Sequence, residues 1–311
     1  MTAGRPIRVA TVNLQHGTPA SGGGPRLPAD VGTAPTSTTP TGTAPARAGA
    51  CALHPDHASL VAAGRALAAL DLDVVALQEV DRGQRRSRYV DQARVLARML
   101  GTSWWRLAAA EVGPRGGPRL RPLVAPAVWQ PGYGVALLSR LPVRAWHAWS
   151  FPAELRLLRP GHPLAQGGPV LRVGPRVLRR DEARVALAAQ IDAPGGPLAV
   201  AATHLSTRAD AARAQLRTVT ERLTALPGTH VLAGDLNLGP DDVAAATGLT
   251  PLAVGPTFPA RRPHRQIDHV LGTSDLVASG EVHRLPVSDH LTLVATITDA
   301  RVAGAHATGA S

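Results

Sequence analysis

The stretch "LAGDLNLGP", residues 232 to 240, decides how this chain is read. Its apolar start, with the residues before it, predicts a short buried strand over 230–234. An Asp and an Asn follow, two positions apart, and the Gly239-Pro240 pair closes the segment as a breaker. Alternate side chains of a strand face the same way. If extended geometry persists to residue 237, Asp235 and Asn237 point together from the strand's end. A carboxylate beside an amide can hold a water or a phosphate oxygen there. The competing reading is an Asx-type turn after the strand.

Composition bears on that choice. The chain has two asparagines, Asn13 and Asn237, and no lysine, so all 33 of its Lys and Arg residues are arginine. Ala, Gly, Pro and Arg dominate, the mark of a GC-rich coding bias that has removed whatever could be removed. Both asparagines persist within or just after an apolar run, and each is followed by Leu. A specific amide role at each position is expected.

A length of 311 residues allows two average domains or one large layered one. No interior linker and no short-period repeat is present, so one domain over 1–311 is expected, with its core at about 6–298. The net charge of +11 points to an anionic partner, and arginines cluster in "DRGQRRSR" (81–88), "RVGPRVLRR" (172–180) and "RRPHR" (261–265). Cys51 is the single cysteine, which excludes an intrachain disulfide framework and a cysteine-based zinc site. No apolar stretch is long enough to span a bilayer, and no secretory apolar region precedes the first strand. A soluble cytoplasmic protein is expected.

Strands are predicted at 7–13, 73–79, 103–111, 133–139, 143–150, 183–192, 197–205, 230–234, 266–272, 277–285 and 290–298. Helices are predicted at 57–70, 90–100 and 208–226, the last stopped by Pro227-Gly228. Residues 17–50 are a low-complexity insertion expected to be disordered, as is the tail over 301–311. Loops are expected at 113–132 and 152–180. "SWW" (103–105) reads as a core strand. Many strands with three interspersed helices predict an α+β architecture of mixed sheets covered by helices.

Polar residues recur at the ends of these apolar strands: Asn13, Glu79, His204, Asp235, Asn237, Asp268, His269, Asp289 and His290. Each alone has a plain structural explanation. Together they describe charged strand tips converging on one edge of a sheet sandwich. Glu79 and Asp289 are hard oxygen donors, with Asn13 as an amide-oxygen donor, which suits Mg²⁺ or Mn²⁺ better than zinc. Asp235, His204 and His290 are candidates for a base or water-orienting group, and Asp268 or Asp289 could fix the tautomer of His290.

The motifs "TVNLQH", "VALQEVD", "GYGVALLSR", "EAR", "THL", "GDLN", "IDHV" and "SDH" occur in the order found in the endonuclease/exonuclease/phosphatase superfamily, which has the deoxyribonuclease I-like fold. The resemblance covers about residues 6 to 298 apart from the insertion. It implies a four-layer α/β/β/α sandwich of two packed mixed sheets, and Mg²⁺-dependent cleavage of a phosphate ester. Carried over motif by motif, Glu79 resembles the main metal ligand, assisted by Asn13. Asp235 resembles the water-orienting group and Asn237 a phosphate-site amide. Asp289 and His290 resemble the terminal metal-linked acid and the catalytic histidine, Asp268 that histidine's partner, and His204 a further site histidine. Tyr133 and Arg184 sit where members keep phosphate-contacting groups. Gln15 departs from the pattern, because some members, including abasic-site endonucleases, place an Asp there. A neutral amide is the poorer metal ligand, which argues against a second metal position and against abasic-site repair.

The resulting expectation is a metal-dependent phosphodiesterase. A nuclease is one subtype, favoured by the arginine excess. A phospholipid or sphingolipid head-group phosphodiesterase is another, with "SWW" its only hint. An inactive binding protein of the same fold is the alternative of a different class.

Overall fold

The computed structural model describes residues 5–20, 57–113, 130–158, 170–173 and 176–299. Its order begins β1 (Ile7–Asn13), α1 (Ala58–Ala68), β2 (Val74–Arg82), α2 (Gln92–Leu100), β3 (Trp104–Val112), β4 (Gly132–Ser139) and β5 (Val143–Phe151). Three short strands follow: β6 (Leu155–Leu158), β7 (Val170–Val173) and β8 (Arg176–Arg180). The chain continues through β9 (Arg184–Ala193), β10 (Gly196–His204), α3 (Ala209–Thr224), β11 (Thr229–Asp235), α4 (Pro240–Ala246), β12 (Thr250–Ala253), β13 (Asp268–Gly272), β14 (Leu276–His283) and β15 (Thr292–Asp299).

Two six-stranded sheets result, ordered β14-β15-β1-β2-β4-β3 and β12-β13-β11-β10-β9-β5. Each has one parallel pair, β1 with β2 and β10 with β11, among antiparallel neighbours. The side-chain period of two sorts the apolar residues into layers. Val9, Val74, Ala76, Val135 and Leu137 of the first sheet meet Val185, Leu187, Val200, Val231 and Val270 of the second in the central layer. Ala10, Val75, Leu77 and Leu138 face the other way, onto Leu60, Leu67 and Leu96 of α1 and α2. Ala186, Ala199, Ala201 and Leu232 pack on Leu216, Leu223 and Val243 of α3 and α4. This is the four-layer sandwich.

Four sequence expectations are corrected. Residues 152–180 are not loop throughout, because β6, β8 and β7 pair into a third sheet. Four α-helices, not three, occur among the described residues. The missed one, α4, starts at the Gly239-Pro240 breaker: Pro240 occupies its first turn, where a missing N–H costs nothing, and Asp241 and Asp242 face the positive end of its dipole. The strand β12 was also missed. The "SWW" segment is not uniformly core, since Trp104 is 40% exposed.

The expected insertion and tail lie mostly outside the described residues. Its first residues are pinned: Ser288 donates to Thr18 O at 2.9 Å and Ala20 to Pro286 O at 3.1 Å. No helix among the described residues is long and apolar enough to cross a membrane.

Candidate active site

Both parallel pairs run toward the same edge of the sandwich. The parity that carries Val9 inward also carries Asn13 inward at the end of β1. In the same way Val200 leads to His204, Val231 to Asp235 and Val270 to Asp268. The inter-sheet core therefore changes from apolar to polar at one edge. Here the sequence-predicted Asn13, His204, Asp235, Asp268 and His290 are all buried.

Glu79 has the wrong parity, since Leu77 faces the helices. A β-bulge corrects it: Leu77 pairs with Ala136 and Val80 with Gly134, leaving two residues of β2 opposite one of β4. Glu79 takes a left-handed φ of 54° at the bulge. A non-glycine residue adopts this conformation at a cost, and such strain concentrates at functional sites. The bulge brings the carboxylate to Asn13, whose Nδ2 donates to Glu79 Oε1 at 3.4 Å and across the sandwich to Asp235 Oδ2 at 3.1 Å. The other end of the Asn13 amide accepts from Gln15 N at 3.0 Å. Asn13 thus presents its NH₂ group, not its amide oxygen, to the carboxylates.

Asp235 is the hub. Its Oδ1 accepts the Asn237 backbone N–H at 3.1 Å, so the Asx-turn reading of "GDLN" holds and the extended one is corrected. Asn237 does not continue the strand. Its φ is 53°, and its Nδ2 donates to Leu205 O at 3.0 Å. Gly234 is required because an added Cβ would sit 2.2 Å from Thr203 O. Asp235 Oδ2 lies 3.5 Å from His204 Nε2 and 3.8 Å from His290 Nε2. His290 Nδ1 donates to Asp268 Oδ2 at 2.8 Å, and Phe258 packs on its ring with centroids 4.8 Å apart.

Burial, with the charge of Asp268, pushes the Asp235 carboxyl up to about 7. Burial works against protonation of His290, but the hydrogen bond and charge of Asp268, with Asp235 and Asp289, push it up to about 9. The half-buried Glu79 carboxyl is also raised, chiefly by desolvation. His204 is held well below the usual histidine range by burial and by the Arg184 charge.

An open cleft of about 430 Å³ exposes this edge, lined by Glu79, Arg184, His204, Asp235, Asn237, Asp289 and His290 among others. Asp289 sits at the rim with its side chain 42% exposed, and its Oδ1 is 3.9 Å from His290 Nε2. Arg184 is buried beside Glu182 at 3.3 Å. Its Nε is buried with no hydrogen-bond partner among the described residues. Tyr133 lies behind the cleft, in a small cavity shared with Arg184 and His204. Its ring is edge-on to His16 at 5.3 Å, and the Arg86 guanidinium sits over it at 5.0 Å. His269 faces away from the site, bonded through Nε2 to Leu238 O at 2.9 Å.

Cleft residues that the sequence did not single out for the site include His16, Phe258 and Arg265. His16 was legible as the last residue of "TVNLQH". Phe258 had no local signal and Arg265 only its place in the "RRPHR" cluster, because they reach the cleft through a bridge between the two of them.

Carboxylates of Glu79, Asp235 and Asp289 around one cleft are a donor set suited to a hard divalent cation. Ligand atoms of Asp235, Asp268 and His290 also lie within 4.8 Å of one another and could hold a metal ion. In that group His290 Nδ1 is committed to Asp268, which favours proton chemistry there.

Residues 10–290 match the family described as "Endonuclease/Exonuclease/phosphatase family". Among solved structures, the chain is similar to a family protein from Leptotrichia buccalis C-1013-b, with TM-score 0.57 and 15% identity over 94% of this chain and 99% of that one. D. rerio TDP2 complexed with a single-strand DNA product gives TM-score 0.51 and 15% identity over 94% and 99%. Beta toxin from Staphylococcus aureus gives 0.52 and 11% over 93% and 99%. A search of curated proteins by sequence finds no match. At these identities the solved structures establish the shared fold, while the match over residues 10–290 establishes kinship: the chain belongs to the endonuclease/exonuclease/phosphatase family of phosphoester-hydrolysing enzymes.

Proposed function

We propose that the chain is a divalent-cation-dependent phosphodiesterase acting on nucleic acid. The observation that carries this reading is the meeting of Asp235 with the hydrogen-bonded His290–Asp268 pair at the cleft floor, 3.8 Å from Asp235 Oδ2 to His290 Nε2. Glu79 and Asp289 would hold the cation, Mg²⁺ on this oxygen set with Mn²⁺ as the alternative. When bound, it supplies positive charge against the phosphoryl oxygens and the leaving oxygen.

Asp235 orients the attacking water and accepts its proton. Its Oδ1 is fixed by Asn237 N, and its Oδ2 accepts from Asn13 while facing His204 and His290. Asn13 does not act as an oxygen ligand in this reading. It keeps Asp235 and Glu79 at a fixed separation by donating to both. Asp268 accepts from His290 Nδ1 and favours the protonated ring, whose second N–H, at Nε2, faces the cleft and donates to a phosphoryl oxygen. His204 and the Asn237 side chain border the same space, and Arg184 places a buried cation beside it.

Phe258 and Arg265 on the cleft wall supply an aromatic face and a cation, the pair that suits a base and its phosphate. The same fold binds a single-strand DNA product in D. rerio TDP2. The "SWW" hint of a lipid substrate lies away from the cleft. Trp104 pairs with Ser139, whereas the cleft end of the same two strands is marked by Val112 with Gly132.

The test is hydrolysis of an aryl phosphodiester alongside plasmid nicking, each with Mg²⁺, Mn²⁺ or EDTA, for wild type and Asp235→Asn. Metal-dependent cleavage and nicking, both lost in the variant, are expected. Diester cleavage without nicking would move the substrate to lipids or small esters. No turnover with any metal would favour the inactive binding protein.

A further inference from the structure

We propose that His16 is a ligand of the cation that Glu79 holds, and that this nitrogen makes the site prefer a first-row transition cation over Mg²⁺. The inference rests on the phosphodiesterase reading above, but it concerns a residue that reading does not use.

The geometry points to it in three ways. First, His16 Nδ1 lies 3.3 Å from the Glu79 carbonyl oxygen. A carbonyl only accepts, so Nδ1 carries the hydrogen and Nε2 is the remaining ring nitrogen. A histidine whose Nδ1–H is tied to a backbone carbonyl is oriented in the manner of metal-ligating histidines.

Second, Nε2 lies 3.2 Å from Glu79 Oε2. Bonds of about 2.1 Å at right angles in octahedral geometry put two adjacent ligand atoms about 3.0 Å apart. The two carboxylate oxygens are thereby divided: Oε1 faces the Asn13 amide, and Oε2 faces His16.

Third, the ring is held there at a cost. Gln15, His16 and Gly17 take successive φ values of 43°, 59° and 79°. Gln92 Nε2 donates to His16 O at 2.7 Å and secures the turn, while Tyr133 supports the ring edge-on. A surface ion pair needs no such construction, whereas strained backbone is retained where a side chain must be aimed. His16 also lines the open cleft, where a cation and substrate would enter.

The chemistry follows from the donor atoms. Oxygen ligands and water suit Mg²⁺, and an imidazole nitrogen favours later divalent metals, with Mn²⁺ the weakest of that series. Mn²⁺ is therefore the stringent probe.

The experiment is calorimetric titration of the full-length metal-free protein with MnCl₂ and with MgCl₂. Pulsed electron paramagnetic resonance of bound Mn²⁺ then reads nitrogen coupling directly. Wild type is expected to bind Mn²⁺ more tightly than Mg²⁺ and to show an imidazole nitrogen signal. His16→Gln should lose that signal and roughly 10–100-fold in Mn²⁺ affinity, with little change for Mg²⁺. His16→Asn, which tolerates left-handed backbone, should behave alike. The signal should survive in His204→Gln and His290→Gln.

Wild type that binds Mn²⁺ without nitrogen coupling overturns the proposal while leaving the phosphodiesterase reading intact, and leaves His16 as a neutral neighbour of the Glu79 carboxylate. Loss of the signal in His204→Gln or His290→Gln instead overturns it equally. Wild type that binds neither metal removes the cation reading, and this proposal with it. Because the wild-type signal is decisive alone, the proposal remains falsifiable even if the variants fold poorly.

Discussion

Asn13 Nδ2 donates to Asp235 Oδ2 at 3.1 Å, joining the end of β1 in one sheet to the end of β11 in the other. This buried bond crosses the central layer where its apolar packing stops. It holds the two halves of the cleft in register. Asn13→Ala is expected to leave Asp235 with one fewer donor in a buried setting, costing roughly 1–3 kcal/mol. Urea unfolding of the variant checks this, and a loss under a few tenths would show the bond to be dispensable.

Asp235 is the proposed base. Asp235→Asn preserves shape and keeps one of the two acceptor oxygens, so the fold should persist while kcat falls roughly 10²–10⁴-fold. Steady-state kinetics on an aryl phosphodiester, with circular dichroism to verify folding, test it. Near-normal turnover would move the base elsewhere in the cleft.

Asp268 favours the protonated form of His290 through its hydrogen bond and charge. Replacing it with Asn keeps an acceptor for Nδ1–H but removes the negative charge, which with the hydrogen bond pushes His290 up to about 9. The His290 pKa in the metal-free Asp268→Asn protein should therefore fall. Titration of the imidazole resonances by NMR measures the shift, and an unchanged value would assign the elevation to Asp235 and Asp289 instead.

His269 makes stability depend on pH in a predictable direction. Burial lowers its pKa below the usual histidine value, and its Nε2–H donates to Leu238 O. The unfolded chain binds this proton more readily than the folded one. Its contribution is thus fully present above about pH 6.5 and is lost as pH falls toward the lowered folded value, by up to about 1.4 kcal/mol per pH unit. Urea midpoints from pH 5 to 8 for wild type and His269→Gln should show a shallower acid decline in the variant.

Gly234 leaves no room for a side chain, since its Cβ would meet the Thr203 backbone oxygen at 2.2 Å. Gly234→Ala should cost about 1–3 kcal/mol, or more where β10 and β11 cannot separate. Thermal denaturation reads the loss, and a variant as stable as wild type would contradict the close approach.

Most strands, three helices and the polar strand tips were legible because they carry strong local signals: apolar runs, breakers and a period of two. The position of α4 was not, because Gly-Pro followed by two acids ends one element and begins the next with the same residues. The sheet of β6, β8 and β7 was hidden by the prolines and glycines within 152–180, whose pairing depends on non-local hydrogen bonds.

The sequence by itself determined which residues would stand at strand ends and on which face most of them would lie. Parity is a property of the extended chain and needs no partner, so Asn13, His204, Asp235 and Asp268 could be placed in advance. Only the tertiary structure decided what those residues do to one another. The bulge that turns Glu79 into the cleft exists because β2 must pair with β4. The Asn13 amide shows its NH₂ to two carboxylates because Gln15 N engages its oxygen. His16 reaches Glu79 only through three successive left-handed residues. Each outcome depends on hydrogen-bond partners distant in sequence, whose competition for the same few atoms is settled when the two sheets close.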